Sequence, residues 1–217
     1  MKKAILWANG DPPSKRIIGY LIRAGYNKII CADGGANSAR KLNFVPDVII
    51  GDLDSITDDN LNYFSDKSEI IKLNRQNDTD VEKALKYSIK KKFDELILIG
   101  ATGSRLDHSF CNLGIMLKFY DKIRIKLLHR QSVLCAYEGD VEIKTSPGET
   151  VSIYGFDRKT KITSQGLKYP LKETSLPFGE KESTSNVALK DSINLTIKGG
   201  RIFLIRDFEA MRKNGQL

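Results

Sequence analysis

The sequence has few cysteines and no long apolar run. Cys31, Cys111 and Cys135 are odd in number and far apart, so they match neither a zinc-ligand spacing nor a disulfide framework. No segment approaches the roughly 20 apolar residues that a membrane-spanning helix needs. The apolar run at 4–7 is too short for a signal peptide. We therefore expect a cytoplasmic protein that has no membrane partner.

The sequence also lacks the familiar phosphate-binding patterns. It contains no Walker A motif and no G-x-G-x-x-G fingerprint, which excludes a standard P-loop or dinucleotide-binding protein. With only two histidines, a histidine-based metal cluster is excluded as well. The net charge of +8 permits nucleic acid, an anionic membrane surface or a phosphorylated small molecule as partner. Because the basic residues are scattered and not interleaved with aromatic ones, we expect no nucleic-acid partner.

Short apolar runs alternate with helical patterns in the first part of the chain. Buried strands are predicted at 4–8, 29–32, 48–50, 70–73 and 95–99. This alternation predicts a doubly wound, mostly parallel α/β sheet over residues 1–130. From residue 131 to 217, extended segments follow one another at short intervals, and Gly199-Gly200 predicts a two-residue hairpin turn. The second part is therefore predicted to be an antiparallel β-sandwich.

Two carboxylates follow the third predicted strand. In extended geometry Asp52 and Asp54 point to the same side of the chain. At 4 to 5 Å and an effective dielectric near 20 they would repel each other by roughly 3 to 4 kcal/mol. A Mg²⁺ ion would remove that cost. A turn rich in aspartate, in which Ser55 or Thr57 caps the next helix, explains the same residues equally well.

Two further turns could add to such a site. Asp33 and Gly34 lie between a strand and a helix, where the backbone can approach a ligand, although a plain turn explains them almost as well. Asp78 is a good helix N-cap. Asp80 would become a third metal ligand if this turn lies beside Asp52, and Lys83 could then reach a phosphate.

The helix predicted after Gly103 begins with a cation. Arg105 opposes the helix dipole, so either Asp107 or a bound phosphate should compensate its charge. His108 is interpreted as a hydrogen-bonded structural group. The apolar face of this helix is predicted to consist of Leu106, Phe110, Leu113 and Leu117.

These turns all follow predicted parallel strands and should open on one edge of the sheet, where ligands collect. Three or four acids, an Arg and a Lys on that edge suit metal-assisted handling of a polyphosphate. In the second part of the chain, Ser185 and Asn186 belong to a run of small polar residues. That run fits either a turn or a polar recognition loop.

In combination, these motifs resemble the thiamine pyrophosphokinase family. The residues that carry the resemblance, in order over nearly the whole chain, are DGGAN at 33–37, GDLDS at 51–55, QNDTD at 76–80 with Lys83, GSRLDH at 103–108 with Asn112, GLKY at 166–169, and Ser185-Asn186. The resemblance implies an α/β nucleotide-binding domain followed by a β-sandwich, in a homodimer. Thiamine would lie in a cleft between the α/β domain of one subunit and the sandwich of the other. Pyrophosphate would pass from ATP to the thiamine hydroxyl, giving thiamine diphosphate and AMP.

The resemblance also implies roles for individual residues. Mg²⁺ would be held by Asp52, Asp54 and Asp80. Nucleotide or substrate contacts would come from Asp33, Gly34, Gln76, Thr79, Lys83, Arg105, Asp107, His108, Asn112, Ser185 and Asn186. Asp52, Asp54, Asp80, Asp107 and Arg105 would also act in catalysis. Our own hypothesis from the chemistry of the step is that either Asp107 or a metal-held aspartate accepts the hydroxyl proton. Ser104 departs from the more usual second glycine, and Tyr169 or Phe178 would have to stack on thiamine, because Trp7 lies in the first strand.

Three other functions compete with this one. A pyrophosphokinase acting on a hydroxymethyl pterin would have a similar ATP half. A haloacid-dehalogenase-like phosphatase also carries Asp-x-Asp after an apolar strand, but on its first strand and with Thr or Val next, where this chain has Ser55. A non-catalytic sensor would bind nucleotide without making AMP.

Overall fold

A computed structural model describes residues 1–74, 77–103 and 105–217 of the chain. Gln76 and Ser104 therefore lie outside the described residues. Contacts divide the chain into two compact units, Met1–Arg130 and Gln131–Leu217. Within the described ranges, none of the helices has both the length and the apolar composition needed to cross a membrane.

The first unit alternates strands and helices around a parallel sheet. Its elements are β1 (Lys3–Trp7), α1 (Lys15–Arg23), β2 (Lys28–Ala32), α2 (Gly35–Lys41), β3 (Val48–Gly51), α3 (Asp58–Phe64), β4 (Glu69–Lys72), α4 (Asp80–Lys90), β5 (Glu95–Ile99), α5 (Leu106–Lys118) and β6 (Arg124–His129). The strands pair in parallel in the order β6-β5-β1-β2-β3-β4. The predicted parallel α/β sheet is confirmed. The pattern does not predict β6, because Arg124 and Lys126 interrupt its apolar residues.

The direction in which strands are added to the sheet reverses at β1. Strands β2, β3 and β4 lie on one side of β1, whereas β5 and β6 lie on the other. The loops that leave β1 and β5 therefore run in opposite directions across the sheet. Such a switch point leaves a crevice at the carboxyl ends of the strands, which is where open α/β sheets bind their ligands.

The predicted apolar face of α5 is wrong at its first turn. Leu106 and Phe110 are 69% and 60% exposed, and the residues that α5 buries are Ser109, Asn112, Ile115 and Met116. Asn112 is drawn inward because its side-chain amide donates a 2.7 Å hydrogen bond to the Ala101 carbonyl in the loop after β5. This polar contact joins the buried face of the helix to the loop after β5.

The second unit is antiparallel and rich in strands, as predicted. Its elements are β7 (Ser132–Lys144), β8 (Thr150–Tyr154), β9 (Lys161–Gln165), β10 (Ser183–Val187), β11 (Ser192–Asp207) and α6 (Phe208–Lys213). The first half of β11 pairs with β9 and its second half pairs with β8. Residues from both halves, such as Leu195 and Leu204, face one hydrophobic core. The long strand thereby contributes to both layers of a sandwich.

The predicted hairpin at Gly199-Gly200 is wrong. Both residues lie inside β11, which pairs with β7 on either side of them, and the register shifts between Ile197 and Ile202. A glycine pair permits such an irregularity as readily as it permits a turn. The C-terminal helix α6 was not predicted either. It is capped by Asp207, whose carboxylate accepts a hydrogen bond from the Ala210 amide at 3.1 Å.

A buried acid at the base of the first sheet should make stability depend on pH. Glu95 accepts hydrogen bonds from the Tyr26 hydroxyl and, at 2.8 Å, from the Lys126 ammonium. Burial raises the pKa of Glu95, but Lys126, Tyr26 and Lys3 more than offset this and hold it below the ordinary value of 4.5. Its contribution is therefore complete above pH 4.5 and is lost as the pH falls through the lower folded-state pKa.

We expect Glu95→Gln to lower the free energy of unfolding by about 1–3 kcal/mol at pH 7, because Lys126 loses its charged partner. The difference from the unaltered chain should shrink between pH 5 and pH 3, as measured by urea denaturation across that range. The exposed Glu182→Gln is the control and should show neither effect. If the difference in free energy of unfolding between Glu95→Gln and the unaltered chain stayed constant down to pH 3, Glu95 would not be ionised in the folded protein.

Candidate functional site

A cavity of about 520 Å³ opens at the switch point of the first unit. Its walls come from the loops that follow β1, β2, β3 and β5 and from the first turns of α4 and α5. The lining residues include Asn9, Gly10, Asp33, Gly34, Asp52, Thr79, Asp80, Lys83, Thr102, Arg105, His108 and Asn112. Two helix N-termini, with unpaired backbone N–H groups and positive dipole ends, therefore contribute to one cavity and favour an anionic ligand.

Three acids from different elements meet in this cavity. One carboxylate oxygen each of Asp33, Asp52 and Asp80 lies within 4.8 Å of the others, and we call these three residues the carboxylate trio. Asp33 follows β2, Asp52 follows β3 and Asp80 begins α4. Among the described residues, Asp52 Oδ1 is the buried side-chain atom that has no hydrogen-bond partner. An orphaned anionic oxygen beside two other carboxylates fits a hard divalent cation such as Mg²⁺.

Lys83 partly balances the trio. Its side chain is 2% exposed, and its ammonium lies 2.8 Å from Asp80 Oδ1 and 3.3 Å from Asp52 Oδ2. Burial lowers the pKa of Lys83, but the two carboxylates outweigh it and keep the pKa above its usual value. Burial likewise raises the pKa of Asp52, and Lys83 brings it below the usual value. One ammonium among three carboxylates leaves room for further positive charge. The lysine predicted to reach a phosphate thus contacts the trio in this structure.

Asp33 also holds the loop that carries Asp52. Its two oxygens accept hydrogen bonds from the backbone amides of Ser55, at 3.1 Å, and Ile56, at 3.0 Å. Asp33 is 1% exposed and has a φ of 41°. Burial raises its pKa to about 6, with a contribution from the Asp80 charge and against the two amide hydrogen bonds. Asp33 was predicted to contact the ligand, but not to join the metal site.

Asp54 lies outside the trio. The expectation that Asp52 and Asp54 share one side assumed an extended backbone, and that assumption is wrong because Leu53 has a φ of 66°. The Asp54 carboxylate nevertheless lies close enough to Asp33 and Asp52 to influence the pKa of each. Strand β3 ends at Gly51, and Asp54 is exposed. The third acid instead comes from β2, the neighbour of β3, whose end lies beside Ile50.

The start of α4 differs from its prediction by one residue. Thr79 is the N-cap, and its hydroxyl accepts a hydrogen bond from the Glu82 amide at 3.2 Å. The N-cap prediction for Asp78 is wrong: its carboxylate accepts a hydrogen bond from Lys86 Nζ at 2.7 Å. The helix begins at Asp80, so the Asp80 carboxylate lies in the first turn, close to the carboxylates of Asp33 and Asp52.

Arg105 is compensated within the chain. Its guanidinium donates to both oxygens of Asp107, at 2.9 and 2.6 Å, and both side chains are exposed. This hydrogen bonding holds the pKa of Asp107 well below its usual range. The exposed His108 lies 4.0 Å from Asp107 and lines the cavity. Of the two predicted ways to compensate the charge of Arg105, pairing with Asp107 is therefore the one observed.

Ser185 and Asn186 lie in strand β10 of the second unit, rather than in a turn or loop. The Asn186 side chain is buried and holds the backbone of Tyr169, accepting from its amide at 3.0 Å and donating to its carbonyl at 2.8 Å. Ser185 has a φ of 55° and lies at a register shift of the strand. Tyr169 and Phe178 are both exposed. Asn186 thus shapes the segment that presents Tyr169.

The cavity residues that were not predicted as site residues include three from the loops after β1 and β5. From the sequence, Asn9 and Gly10 are predicted to form an ordinary turn after β1, and Thr102 is predicted to belong to the turn after β5. No sequence signal distinguishes them, because it is the reversal of the sheet order at β1 that turns those two loops into cavity walls.

The geometry agrees with what comparisons with known proteins find. Residues 23–127 match the family model described as thiamin pyrophosphokinase, catalytic domain, and residues 140–202 match the one described as thiamin pyrophosphokinase, vitamin B1 binding domain. The chain belongs to the thiamine pyrophosphokinase family. This is an enzyme family, and its two models follow one another along the chain in the order of the two units.

Relatives and solved structures agree with this family. Thiamin pyrophosphokinase 1 of Caenorhabditis elegans is 28% identical, over 92% of this chain and 87% of its own length. Thiamine pyrophosphokinase of Bacillus subtilis is 25% identical, over 82% and 86%. The crystal structure of the Bacillus subtilis thiamine pyrophosphokinase has a TM-score of 0.81 at 22% identity, covering 95% of this chain and 99% of that one. The Candida albicans thiamin pyrophosphokinase structure also scores 0.81, at 19% identity, covering 94% and 88%. These two structural likenesses show the fold.

A single methyl group at the end of β3 should disturb the site of this thiamine pyrophosphokinase family member. A Cβ on Gly51 would lie 2.7 Å from Asp33 Cβ and 3.1 Å from Asp80 Oδ1, so both acids would have to move. We expect Gly51→Ala to lower turnover about 100-fold, since displacements near 1 Å have effects of that size. It should also destabilise the fold by about 1–3 kcal/mol.

The control is Gly114→Ala in the interior of α5, where nothing lies within 4 Å of an added Cβ. This change should leave turnover intact and stabilise the helix by about 1 kcal/mol. Steady-state turnover and urea denaturation of both variants measure these effects. Full turnover by Gly51→Ala would show that the positions of Asp33 and Asp80 do not matter.

Proposed function

We propose that the chain transfers pyrophosphate from Mg·ATP to the hydroxyl of thiamine, giving thiamine diphosphate and AMP. The observation that carries the proposal is the carboxylate trio with its orphaned Asp52 oxygen, in a cavity that two helix N-termini also line. A metal-bound polyphosphate suits that combination, because the acids bind the cation while the helix ends bind the phosphates. Membership of the thiamine pyrophosphokinase family supports thiamine as acceptor.

In this proposal Asp33, Asp52 and Asp80 hold Mg²⁺, with Asp33 in the place first predicted for Asp54. The ion, when bound, neutralises charge on the phosphate oxygens. Lys83 orients Asp52 and Asp80 through its 3.3 and 2.8 Å contacts and lowers the pKa of Asp52. Positioning and electrostatic stabilisation supply most of the rate in phosphoryl transfer, so rigid placement of these acids matters more than a strong base.

The first turn of α5 would complete the reaction. We propose that Arg105 exchanges Asp107 for a phosphate oxygen when nucleotide binds, because guanidinium and phosphate form strong bidentate pairs. Asp107, released from its two hydrogen bonds to Arg105, would then accept the proton of the thiamine hydroxyl. Thr79, His108 and Asn112, all at the cavity wall, would contact or position the nucleotide.

The remaining parts of the proposal concern organisation. Residues 1–130 would bind the nucleotide, and residues 131–217 would bind thiamine, with Ser185 and the exposed ring of Tyr169 or Phe178 as contacts. We propose a homodimer in which the thiamine cleft forms between subunits. The cytoplasm is the proposed compartment, supported by the odd, widely separated cysteines.

The test is to incubate the chain with Mg·ATP and thiamine and to separate the products by chromatography. We expect AMP and thiamine diphosphate in equal amounts, and neither product when thiamine is omitted or the metal is chelated. A parallel reaction with a hydroxymethyl pterin should give no pyrophosphorylated product. Formation of ADP, or nucleotide binding without AMP, would refute the proposal in favour of another kinase or a sensor.

A further inference from the structure

A threonine on the cavity wall is hydrogen-bonded to a histidine behind it. Thr102 lines the cavity, and its Oγ1 lies 2.6 Å from Nδ1 of His129. Strand β6 ends at His129 and pairs with β5, with Leu128 opposite Ile99. The pairing brings the imidazole beside the loop that leaves β5. His129 is one of the two histidines of the chain, and no motif of the sequence includes it.

The backbone of Thr102 is fixed independently of His129. Its carbonyl accepts a 2.9 Å hydrogen bond from the Asp11 amide, which ties the loop after β5 to the loop after β1. The hydrogen bond with His129 Nδ1 therefore determines where the hydroxyl proton of Thr102 points. A threonine hydroxyl has one proton and two lone pairs, and a histidine Nδ1 either donates or accepts.

The two arrangements present different groups to the cavity. If Nδ1 accepts, the Thr102 proton points at His129 and only lone pairs face the cavity, which repels an anion. If Nδ1 carries the proton and donates, the hydroxyl is free to donate its own proton into the cavity. Two helix N-termini line this cavity and favour an anionic group there, so the phosphates of a metal-bound nucleotide would select the second arrangement.

We infer that His129 is a positioning residue, which donates from Nδ1 to Thr102 Oγ1 and thereby directs the Thr102 proton to a phosphate oxygen of the nucleotide. This inference rests on the proposed function, because it takes ATP as the ligand of the cavity. His129 acts only through Thr102 and touches neither substrate nor metal. The role adds a neutral donor on the side of the cavity formed by β5, whereas the carboxylate trio lies after β2 and β3 and at the start of α4.

Two amide substitutions test this role with matched chemistry. The side-chain nitrogen of Asn superimposes on histidine Nδ1, whereas that of Gln superimposes on Nε2. We expect His129→Asn to bind Mg·ATP within about threefold of the unaltered chain and His129→Gln to bind about tenfold more weakly, by calorimetry without thiamine. If Asn but not Gln preserves the affinity for Mg·ATP, His129 acts as a hydrogen-bond donor at Nδ1 and not merely by filling space. Equal affinities for the two variants would overturn the inference.

A double-mutant cycle tests the path through Thr102. In a Thr102→Val background the Asn and Gln variants should bind Mg·ATP equally, because the hydroxyl that His129 orients is gone. A Gln effect that persists in that background would overturn the inference. Arg124→Leu, at the other end of β6, is the control and should leave affinity unchanged. If the unaltered chain forms AMP but the cycle shows no coupling, this inference fails alone; if it forms no AMP, the proposed function fails as well.

Discussion

Replacing Asp52 by Asn is expected to lower turnover about 10³-fold, because several kcal/mol of metal-assisted stabilisation of the transition state would be lost. The substitution keeps the shape of the side chain and removes the negative charge of the orphaned oxygen. Lys83 keeps its 2.8 Å contact to Asp80, so the free energy of unfolding should change by less than about 1 kcal/mol. Steady-state kinetics and urea denaturation measure the two quantities, and calorimetry with Mn²⁺ should show weakened metal binding.

Two aspartates close to Asp52 in sequence serve as comparisons. Asp54→Asn tests the carboxylate outside the trio, and we expect a loss of less than about tenfold, since an exposed acid beside the site acts only through screened charge. Asp58→Asn, on the exposed first turn of α3, should leave turnover unchanged. If Asp54→Asn were as damaging as Asp52→Asn, the original assignment of Asp54 to the metal would be correct and the trio would be wrong.

The largest loss of stability is expected from breaking an ion pair in the core of the second unit. Arg206 is 2% exposed, and its Nε donates to Glu149 Oε1 at 2.6 Å while Nη2 donates to the Lys144 carbonyl at 2.7 Å. Arg206→Met would leave Glu149 buried without its cation. Removing one member of a buried pair costs about 3–5 kcal/mol, which is measurable as a shift in the urea midpoint.

An exposed pair in the same unit provides the control. Arg158 and Glu180 are 2.8 Å apart at the surface, and Arg158→Met should cost less than about 1 kcal/mol. The double variant Arg206→Met with Glu149→Leu should lose less than Arg206→Met alone, since no unpaired charge remains. A loss from Arg206→Met no greater than that from Arg158→Met would show that Arg206 and Glu149 do not form the buried pair.

Much of the first unit could be predicted from sequence because its strands are buried. Runs such as 48–50 and 96–99 are apolar throughout and are bounded by glycine or acidic residues, a pattern typical of strands that are covered on both faces. β6 was not predicted, because Arg124 and Lys126 break the continuous apolar run that marks the other strands, although their alternation with apolar residues is itself a strand signal. The error at Gly199-Gly200 has a different origin. A glycine pair permits a turn or a register shift, and pairing with β7, which is distant in sequence, decides between them.

The site was predictable where it depends on sheet topology and unpredictable where it depends on one backbone angle. Parallel strands end at one edge, so acids after β3 and at the start of α4 could be expected to meet, and Asp52 and Asp80 do. Asp54 follows a left-handed Leu53, a conformation for which a leucine gives no sequence signal, and is not one of the three acids that converge. Asp33 replaces it through the pairing of β2 with β3, a contact between residues far apart in sequence.

The most direct test of the central claim is a crystal structure of the chain with Mn²⁺ and a non-hydrolysable ATP analogue. Anomalous scattering locates the metal without reference to the protein density. We expect one peak bounded by oxygens of Asp33, Asp52 and Asp80, with the phosphates of the analogue completing its coordination. An ordered nucleotide whose metal contacts none of these three aspartates would contradict the account.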